Sequence, residues 1–359
     1  MAKRHDLLIT IAIPVFNDSD GLRKTLSTVL AAYSLEPERI EILVSDNNSD
    51  DNSFQVAQTV LSGTEGTRVV KQDSNLGFSG NLRSLTELAK GEYIWFLAAG
   101  DYLLPDQVPY IINALLDTKP DFGVVNGAFE YHNDWKSLDV SRSYLASNCS
   151  EASSTPLFNH AVSLNILSRK VMSDYYSSDF NTLVQDGINN LPTINPPKAE
   201  LVQYICHWPH LEAVCQAVTD KKSGTLVWLE YRGLSVLLGR NVNGSWDKKE
   251  SALEVFRQWA AIARLTHEAL PISLWLAEMN RILHGRHLLA FLFMLRKDET
   301  IGRLSILRQS FSMPIKLHIK VGALFIVLLP KALVSLLVSS RGLVLKISSF
   351  WLGKNTRRL

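Results

Sequence analysis

The chain has 359 residues, 46% of them apolar and 20% charged, with a formal net charge of +2. That composition excludes broad disorder and is enough for one large domain or two smaller ones. Three cysteines, Cys149, Cys206 and Cys215, are odd in number and lack metal-ligand spacing, which argues against a disulfide framework and for a reducing compartment; they read as buried small hydrophobes.

Taken in chain order, the N-terminal stretch MAKRHDLLITIAIPVF sets basic residues before an apolar run. Asp6 interrupts the flank and no small-residue cleavage site follows, so residues 7–16 read as a first strand and not a signal peptide. Further β-like runs are IEILVS (40–45), TRVVKQ (67–72), EYIWFLA (92–98) and FGVVNG (122–127). Between them, Leu22, Leu26, Val29, Leu30 and Tyr33 share one helical face, and so do Leu82, Leu85, Leu88 and Ala89. Pro105 suits the first turn of another helix carrying Val108, Ile111, Ile112 and Leu115. Strands alternating with helices predict an open α/β sheet in mostly parallel order, because each crossover is long enough to hold a helix.

In such sheets the ligand crevice lies beyond the carboxyl ends of the strands. Polar clusters fall there: NDSD after the first run, DNNSDD after the second, DSNLGFSGN after the third and AAGD after the fourth. Each alone is ordinary turn and N-cap chemistry; four on one edge make a site. No G-x-G-x-x-G follows the first strand and no G-x-x-x-x-G-K-[ST] occurs, so dinucleotide dehydrogenases and P-loop enzymes lose their main support. Residues 128–300 are less periodic, and from about 251 the pattern turns helical, as in ESALEVFRQWAAIARL. There is no internal repeat.

The ordered series ITIAIPVFN, IEILVSDNNSDDNS, QDSNLGFSGNL and GEYIWFLAAGDYLLPD resembles family 2 glycosyltransferases of the GT-A (Rossmann-like) fold, most closely the abequosyltransferase-like branch of O-antigen assembly. The resemblance is strong over the first third of the chain, weak in the middle, and does not extend to the last sixty residues. It implies that Pro14, Val15, Phe16 and Asn17 form the edge against which a nucleotide base lies, and that Asp46, with Asn48 in the same loop, receives hydrogen bonds from base or ribose. It also implies that Asn75, Gly77 and Asn81 let backbone and amide groups approach the nucleotide; an ordinary loop with a φ > 0 glycine is the competing reading of Asn75 and Gly77.

In the family, the loop after the fourth run usually carries paired acids that hold Mg²⁺ or Mn²⁺ against the sugar diphosphate. Here those positions are Ala98, Ala99 and Gly100, and Asp101 alone remains. Diphosphate and water can supply most oxygen ligands, so one carboxylate gives a weak, dispensable metal site at Asp101; the competing reading is that Asp101 caps the next helix. Without metal, Arg83, Arg240 or Lys248 would clamp the leaving diphosphate. The stretch ICHWPHLEAVCQAV, with Trp208, Pro209 and His210, resembles the acceptor-side motif of the branch. His210 is the first candidate for the general base and Asp186 the second. Trp246, in the loop GRNVNGSWDKK, would stack on sugar or lipid or simply anchor the loop.

The last acidic residue is Glu299; residues 300–359 hold ten Lys or Arg, so 27 basic and 35 acidic residues precede them. A basic tail interleaved with Leu, Ile, Val and Phe points to an anionic membrane surface more than to nucleic acid. VGALFIVLLPKALVSLLVSS (321–340) is about long enough to span. Pro330 and Lys331 at its centre favour two short interfacial helices, the alternative being packing on the chain's own domain or a homo-oligomer.

The expectation is therefore a catalytic domain over 1–250, a helical extension over 251–312 and a membrane-associating tail over 313–359. It would be an inverting transferase that takes a nucleotide-sugar donor and a polyprenyl-diphosphate-linked acceptor, peripheral on the cytoplasmic face of the membrane. The alternative is a non-catalytic nucleotide-sugar-binding or interaction subunit.

Overall fold

A computed structural model describes residues 7–131, 134–137, 162–179, 182, 209–220, 228–238, 317–330 and 333–334. The chain divides into two compact units, residues 1–182 with 196–244, and residues 183–195 with 245–359. The second unit's described residues are helix α7 (Leu317–Leu328) and the short stretch after it.

The first unit is built on β1 (Ile9–Val15) and β2 (Ile40–Asp46), whose residues are all buried. Their apolar runs are continuous and not alternating because both faces of the sheet are covered, as parallel strands flanked by helices require. β3 (Thr67–Lys71), β2, β1 and β4 (Tyr93–Phe96) lie side by side and parallel. Helix α1 (Ser19–Leu35) starts where the Asp18 carboxylate accepts the Gly21 N–H at 3.0 Å, and it buries Leu22, Leu26 and Val29 against the sheet. α2 (Ser53–Leu61) buries Val56, Ala57 and Leu61; α3 (Gly77–Leu88) buries Leu82 and Leu85. Pro105 opens a 3₁₀ turn that leads into α4 (Val108–Thr118), which buries Val108, Ile111, Ile112 and Leu115. α4 stops at Lys119, whose φ of 44° is left-handed.

The described sheet has nine strands, in the order β3-β2-β1-β4-β8-β6-β9-β5 with β7 beside β6. The remaining strands are β5 (Tyr102–Leu103), β6 (Phe122–Tyr131), β7 (Asp134–Ser137), β8 (Asn165–Ser168) and β9 (Trp228–Leu238). The α/β architecture expected from the sequence is present, but the sheet is mixed beyond β4. β8 is inserted antiparallel between β4 and β6, so β6 keeps the direction of β1–β4 without touching them. β9 runs parallel to β6, with bulges at Asn126, and β5 pairs antiparallel with β9. Helices α5 (Arg169–Tyr176) and α6 (Pro209–Asp220) pack together, and α5 also packs on α3.

The amino edge of the sheet is closed by a buried ionic cluster. Glu41 accepts hydrogen bonds from Thr10 Oγ1 at 2.7 Å, from the Lys90 N–H at 2.8 Å and from Arg68 Nε at 2.9 Å. Each charge and lone pair there has a partner, which is the condition for burying a carboxylate. The polar residues of the opposite edge are arranged differently.

Candidate active site at the carboxyl edge of the sheet

Four loops lie at the carboxyl ends of β1–β4; polar residues join the first three to one another, and the fourth is held by Thr25 of α1 and by Ser163. Asn17, beyond β1, has a left-handed φ of 52°, which Asn tolerates. Its N–H donates to Ser49 Oγ at 2.9 Å, and its carboxamide oxygen accepts the Asp50 N–H at 2.8 Å. Ser49 Oγ in turn donates to Asp46, whose other carboxylate oxygen accepts the Ser49 N–H at 3.2 Å. Asp46 is fully buried at the end of β2. Asn48, with φ 62°, is half-buried. Asp51 accepts the Ser19 N–H and the Ser53 N–H, both at 2.9 Å, which completes the joining of the first two loops.

Asn47, within the DNNSDD stretch, ties in the third loop. Its amide donates to Asn75 Oδ1 at 2.8 Å and to the Gly77 carbonyl at 3.2 Å, and its oxygen accepts the Leu76 N–H at 2.8 Å. Asn75 Oδ1 also accepts the Gly77 N–H at 2.8 Å, and Gly77 has a φ of 70°. Asn81 is buried one turn into α3, where Ser45 Oγ donates to its oxygen at 2.6 Å and its amide donates to the Ser45 carbonyl at 3.2 Å. Asn75, Gly77 and Asn81 therefore shape the loop and pin α3 to the end of β2, beside Asp46. Pro14 and Val15 are buried at the end of β1, and Phe16 is half-buried.

The fourth loop carries Asp101. Ser163, in the 3₁₀ turn before β8, donates from Oγ to Asp101 Oδ2 at 2.5 Å and accepts the Ala98 N–H at 2.9 Å. Its carbonyl accepts Trp95 Nε1–H at 2.8 Å. From α1, Thr25 Oγ1 donates to the Asp101 carbonyl at 2.8 Å and accepts the Gly100 N–H at 2.9 Å. Asp101 is 9% exposed. It leads into β5; the cap position of the following 3₁₀ turn is Leu104, so helix capping is not its role. Gly100, at φ 93°, adopts a conformation that disfavours a side chain, and a Cβ there would sit 3.6 Å from Asp18 Oδ2. Asp18 thus borders the same loop. Burial raises its pKa above the ordinary carboxylate value, the Gly21 hydrogen bond opposes this, and the Asp51 and Asp20 charges add to the rise. For Asp51 burial also acts upward, but the hydrogen bonds from Ser53 and Ser19 prevail and its pKa is lowered.

No group of three or more metal-ligating side chains occurs among the described residues. Ala98, Ala99 and Gly100 offer no side-chain oxygen, and one Asp101 oxygen is held by Ser163. This donor set fits a hard divalent cation only as one ligand among several, the rest coming from a diphosphate and water. Arg83 pairs with Glu87 at 2.9 Å on the exposed side of α3 and lies over the Tyr176 ring at 6.0 Å. His210 stands in the first turn of α6 and is 1% exposed. Two residues on, the fully buried Glu212 accepts a hydrogen bond from Tyr175 of α5; burial first, and the Glu212 charge second, push that phenol pKa well up. Tyr176 OH reaches the Ser79 carbonyl at 3.4 Å, which brings this helix pair to the start of α3. Asp186, Trp208, Arg240, Trp246 and Lys248 lie outside the described residues. Ser163 and Glu212 went unread in the sequence because their partners are 62 and 37 positions away.

Residues 10–166 match the glycosyl transferase family 2 model. A poly(ribitol-phosphate) beta-glucosyltransferase of Bacillus spizizenii is 32% identical over 96 residues, 26% of this chain and 15% of that protein. An undecaprenyl-phosphate 4-deoxy-4-formamido-L-arabinose transferase of Aeromonas hydrophila is 27% identical over 111 residues, 30% of this chain and 34% of that one. The chain thus spans about a third or less of these relatives' length. Among solved structures, Staphylococcus aureus TarS 1-349 in complex with UDP-GlcNAc superposes with a TM-score of 0.50 at 11% identity, over 85% of this chain and 88% of that one. The mannosyltransferase PcManGT of Pyrobaculum calidifontis, in complex with GDP-Man and Mn²⁺, has a TM-score of 0.50 at 11% identity, over 98% and 89%. At such identities the likeness speaks for the fold, and the family match for the loops that the fold brings together. Residues 10–166 thus match the glycosyl transferase family 2 model, and the sheet that carries them has the GT-A architecture of these structures.

Proposed function

We propose that the chain is an inverting glycosyltransferase that moves one sugar from a nucleoside-diphosphate donor to a saccharide on a polyprenyl-diphosphate carrier. Its setting would be assembly of O-antigen or another surface polysaccharide, peripherally on the inner face of the cell membrane. The observation that supports this reading best is that the loops after β1, β2, β3 and β4 share one edge, the first three tied together around Asp46 and Asn47 and the fourth holding Asp101 against Ser163. Relatives named for a poly(ribitol-phosphate) and for an undecaprenyl-phosphate substrate favour a polymeric or lipid-carried acceptor. The division into a catalytic region over 1–250, an extension over 251–312 and a basic tail over 313–359 belongs to the same proposal.

In this reaction the acceptor hydroxyl oxygen attacks the anomeric carbon. The bond from that carbon to the diphosphate breaks, its electron pair departs on the nucleoside diphosphate, and the hydroxyl proton passes to a base. His210 is the proposed base and Asp186 the second candidate. Asp46 and the loop containing Asn48 would face the nucleoside, with Pro14–Asn17 on its other side, while Asp101 would face the diphosphate. Asp101 would hold one position of an Mg²⁺ or Mn²⁺ ion. When bound, that ion would neutralise charge on the leaving group.

The experiment is transfer by the purified full chain across UDP-, GDP-, CDP- and dTDP-sugars, with EDTA dialysis and Mn²⁺ add-back. One donor class should raise the melting temperature and support transfer, EDTA should lower the rate and Mn²⁺ restore it. Asp101→Asn should cost about a hundredfold in kcat/KM, the scale of one electrostatic partner in a transition state. Unchanged transfer after EDTA would remove the metal, and undiminished transfer by His210→Gln would remove that base. The second reading, a non-catalytic nucleotide-sugar-binding subunit, is favoured by the small residues at 98–100; donor binding with neither transfer nor hydrolysis would select it.

A further inference from the structure

Helix α7 turns an apolar stripe outward. Val321, Leu324, Phe325 and Leu328 follow one another at i, i+3, i+4 and i+7 and are 42%, 37%, 42% and 69% exposed. Gly322, Ile326 and Val327, on the other side, are buried. Beyond Pro330 the stripe continues with Leu333, 41% exposed, while Val334 is buried and its N–H reaches the Pro330 carbonyl at 3.0 Å. A helix on a water-facing surface would place polar residues on its outward side. Here every exposed side chain described from 321 to 328 is apolar.

What covers this stripe is indicated by length and charge. The twelve described residues of α7, at about 1.5 Å each, extend about 18 Å, against the ~30 Å of hydrocarbon in a bilayer. No described helix is long and apolar enough to cross a membrane. The surrounding sequence, residues 300–359, carries ten Lys or Arg and no Asp or Glu, with Lys320 one residue before the stripe. A second copy of the chain would bring two such basic segments together and be repelled by them. A nucleic acid would satisfy the charge and leave the apolar stripe in water. An anionic lipid surface satisfies both, taking Phe, Leu and Val into the acyl boundary while headgroup phosphates meet the basic residues.

We propose that Val321, Leu324, Phe325 and Leu328, continued by Leu333, form an in-plane docking face for anionic lipid. This surface deepens the membrane-facing part of the proposed function, but its test needs no sugar transfer. The full-length chain is sedimented with vesicles of phosphatidylcholine alone or of phosphatidylcholine with phosphatidylglycerol. The chain should sediment with the anionic vesicles and much less with the neutral ones. Phe325→Ser with Leu328→Ser, two exposed positions whose change leaves the buried side intact, should lower the apparent affinity about tenfold or more, in proportion to the apolar area removed. A double variant that binds anionic vesicles like the parent overturns the proposal. So does a parent that ignores vesicles and runs as a dimer which the double variant dissociates, because the stripe would then be a contact between copies. Vesicle binding by a chain that transfers no sugar leaves the surface standing and removes the enzymatic reading.

Discussion

Asp18 and Asp51 belong to the same joined pair of loops, and their pKa values are shifted in opposite directions. Asp18 has a folded pKa above its ordinary 3.8. As pH rises the unfolded chain therefore loses this proton first, and stability falls from about pH 4 up to the raised value and stays reduced above it. Asp18→Asn keeps a capping oxygen for Gly21, so it should be more stable than the parent at pH 7, the advantage vanishing below about pH 4. Asp51 has a lowered folded pKa, so its contribution is complete above about pH 4 and is lost as pH falls through the depressed value. Asp51→Asn should be less stable at neutral pH and converge with the parent in acid, although relief of Asp18 partly offsets the loss; urea midpoints between pH 3 and 7 measure both. A second test concerns Ser163, the residue that orients Asp101. Ser163→Ala removes a hydrogen bond to a charged group, worth about 1.5–3 kcal/mol. It should raise the half-saturating Mn²⁺ concentration for transfer, an effect that Ser163→Thr should largely reverse. Asp101 was legible in the sequence as a lone acid ending an apolar run. Ser163 was not, because no local pattern marks a serine 62 residues away as its partner.

At the level of elements, the two edges of the sheet use carboxylates for different purposes. Glu41 at the amino edge is enclosed by Thr10, Arg68 and the Lys90 N–H, which is a structural role. Glu41→Ala should leave Arg68 facing an emptied, half-buried site and cost about 3 kcal/mol in urea unfolding with an unchanged slope. Gly91 is the other fixed point of this edge. A Cβ on it would lie 2.5 Å from the Thr10 nitrogen and 2.7 Å from the Ile9 carbonyl carbon. Those atoms are backbone and cannot yield, so Gly91→Ala should force β4 away from β1 and destabilise the chain by about 1–3 kcal/mol or more. The helical faces of α1, α3 and α4 were readable because their apolar spacing is local. β8, four residues long, and β9 were not, since their neighbours in the sheet are set by chain returning from far away.

Over the whole molecule, the charge asymmetry follows the division into units. The acidic residues all precede position 300, and the second unit contains the basic, apolar tail. Screening separates the two contributions to its lipid affinity. Raising salt should weaken vesicle binding of the full chain by shielding the basic residues, whereas the part contributed by Phe325 and Leu328 should persist. Binding that high salt abolishes equally in the parent and the double variant would assign the whole affinity to charge.

The sequence by itself determined the α/β class, the strand runs of β1–β4 and β6, three helical faces and the edge on which the polar loops fall, because periodicity and turn chemistry act within a few residues. Only the tertiary structure decided that β8 enters antiparallel between β4 and β6, that Ser163 and Thr25 hold the Asp101 loop, that Asn47 ties in the Gly77 loop, and which side chains of α7 are exposed. Each of these depends on which distant segments come to lie together, and the free energy of burying them side by side, which no short window of residues contains, selects that arrangement.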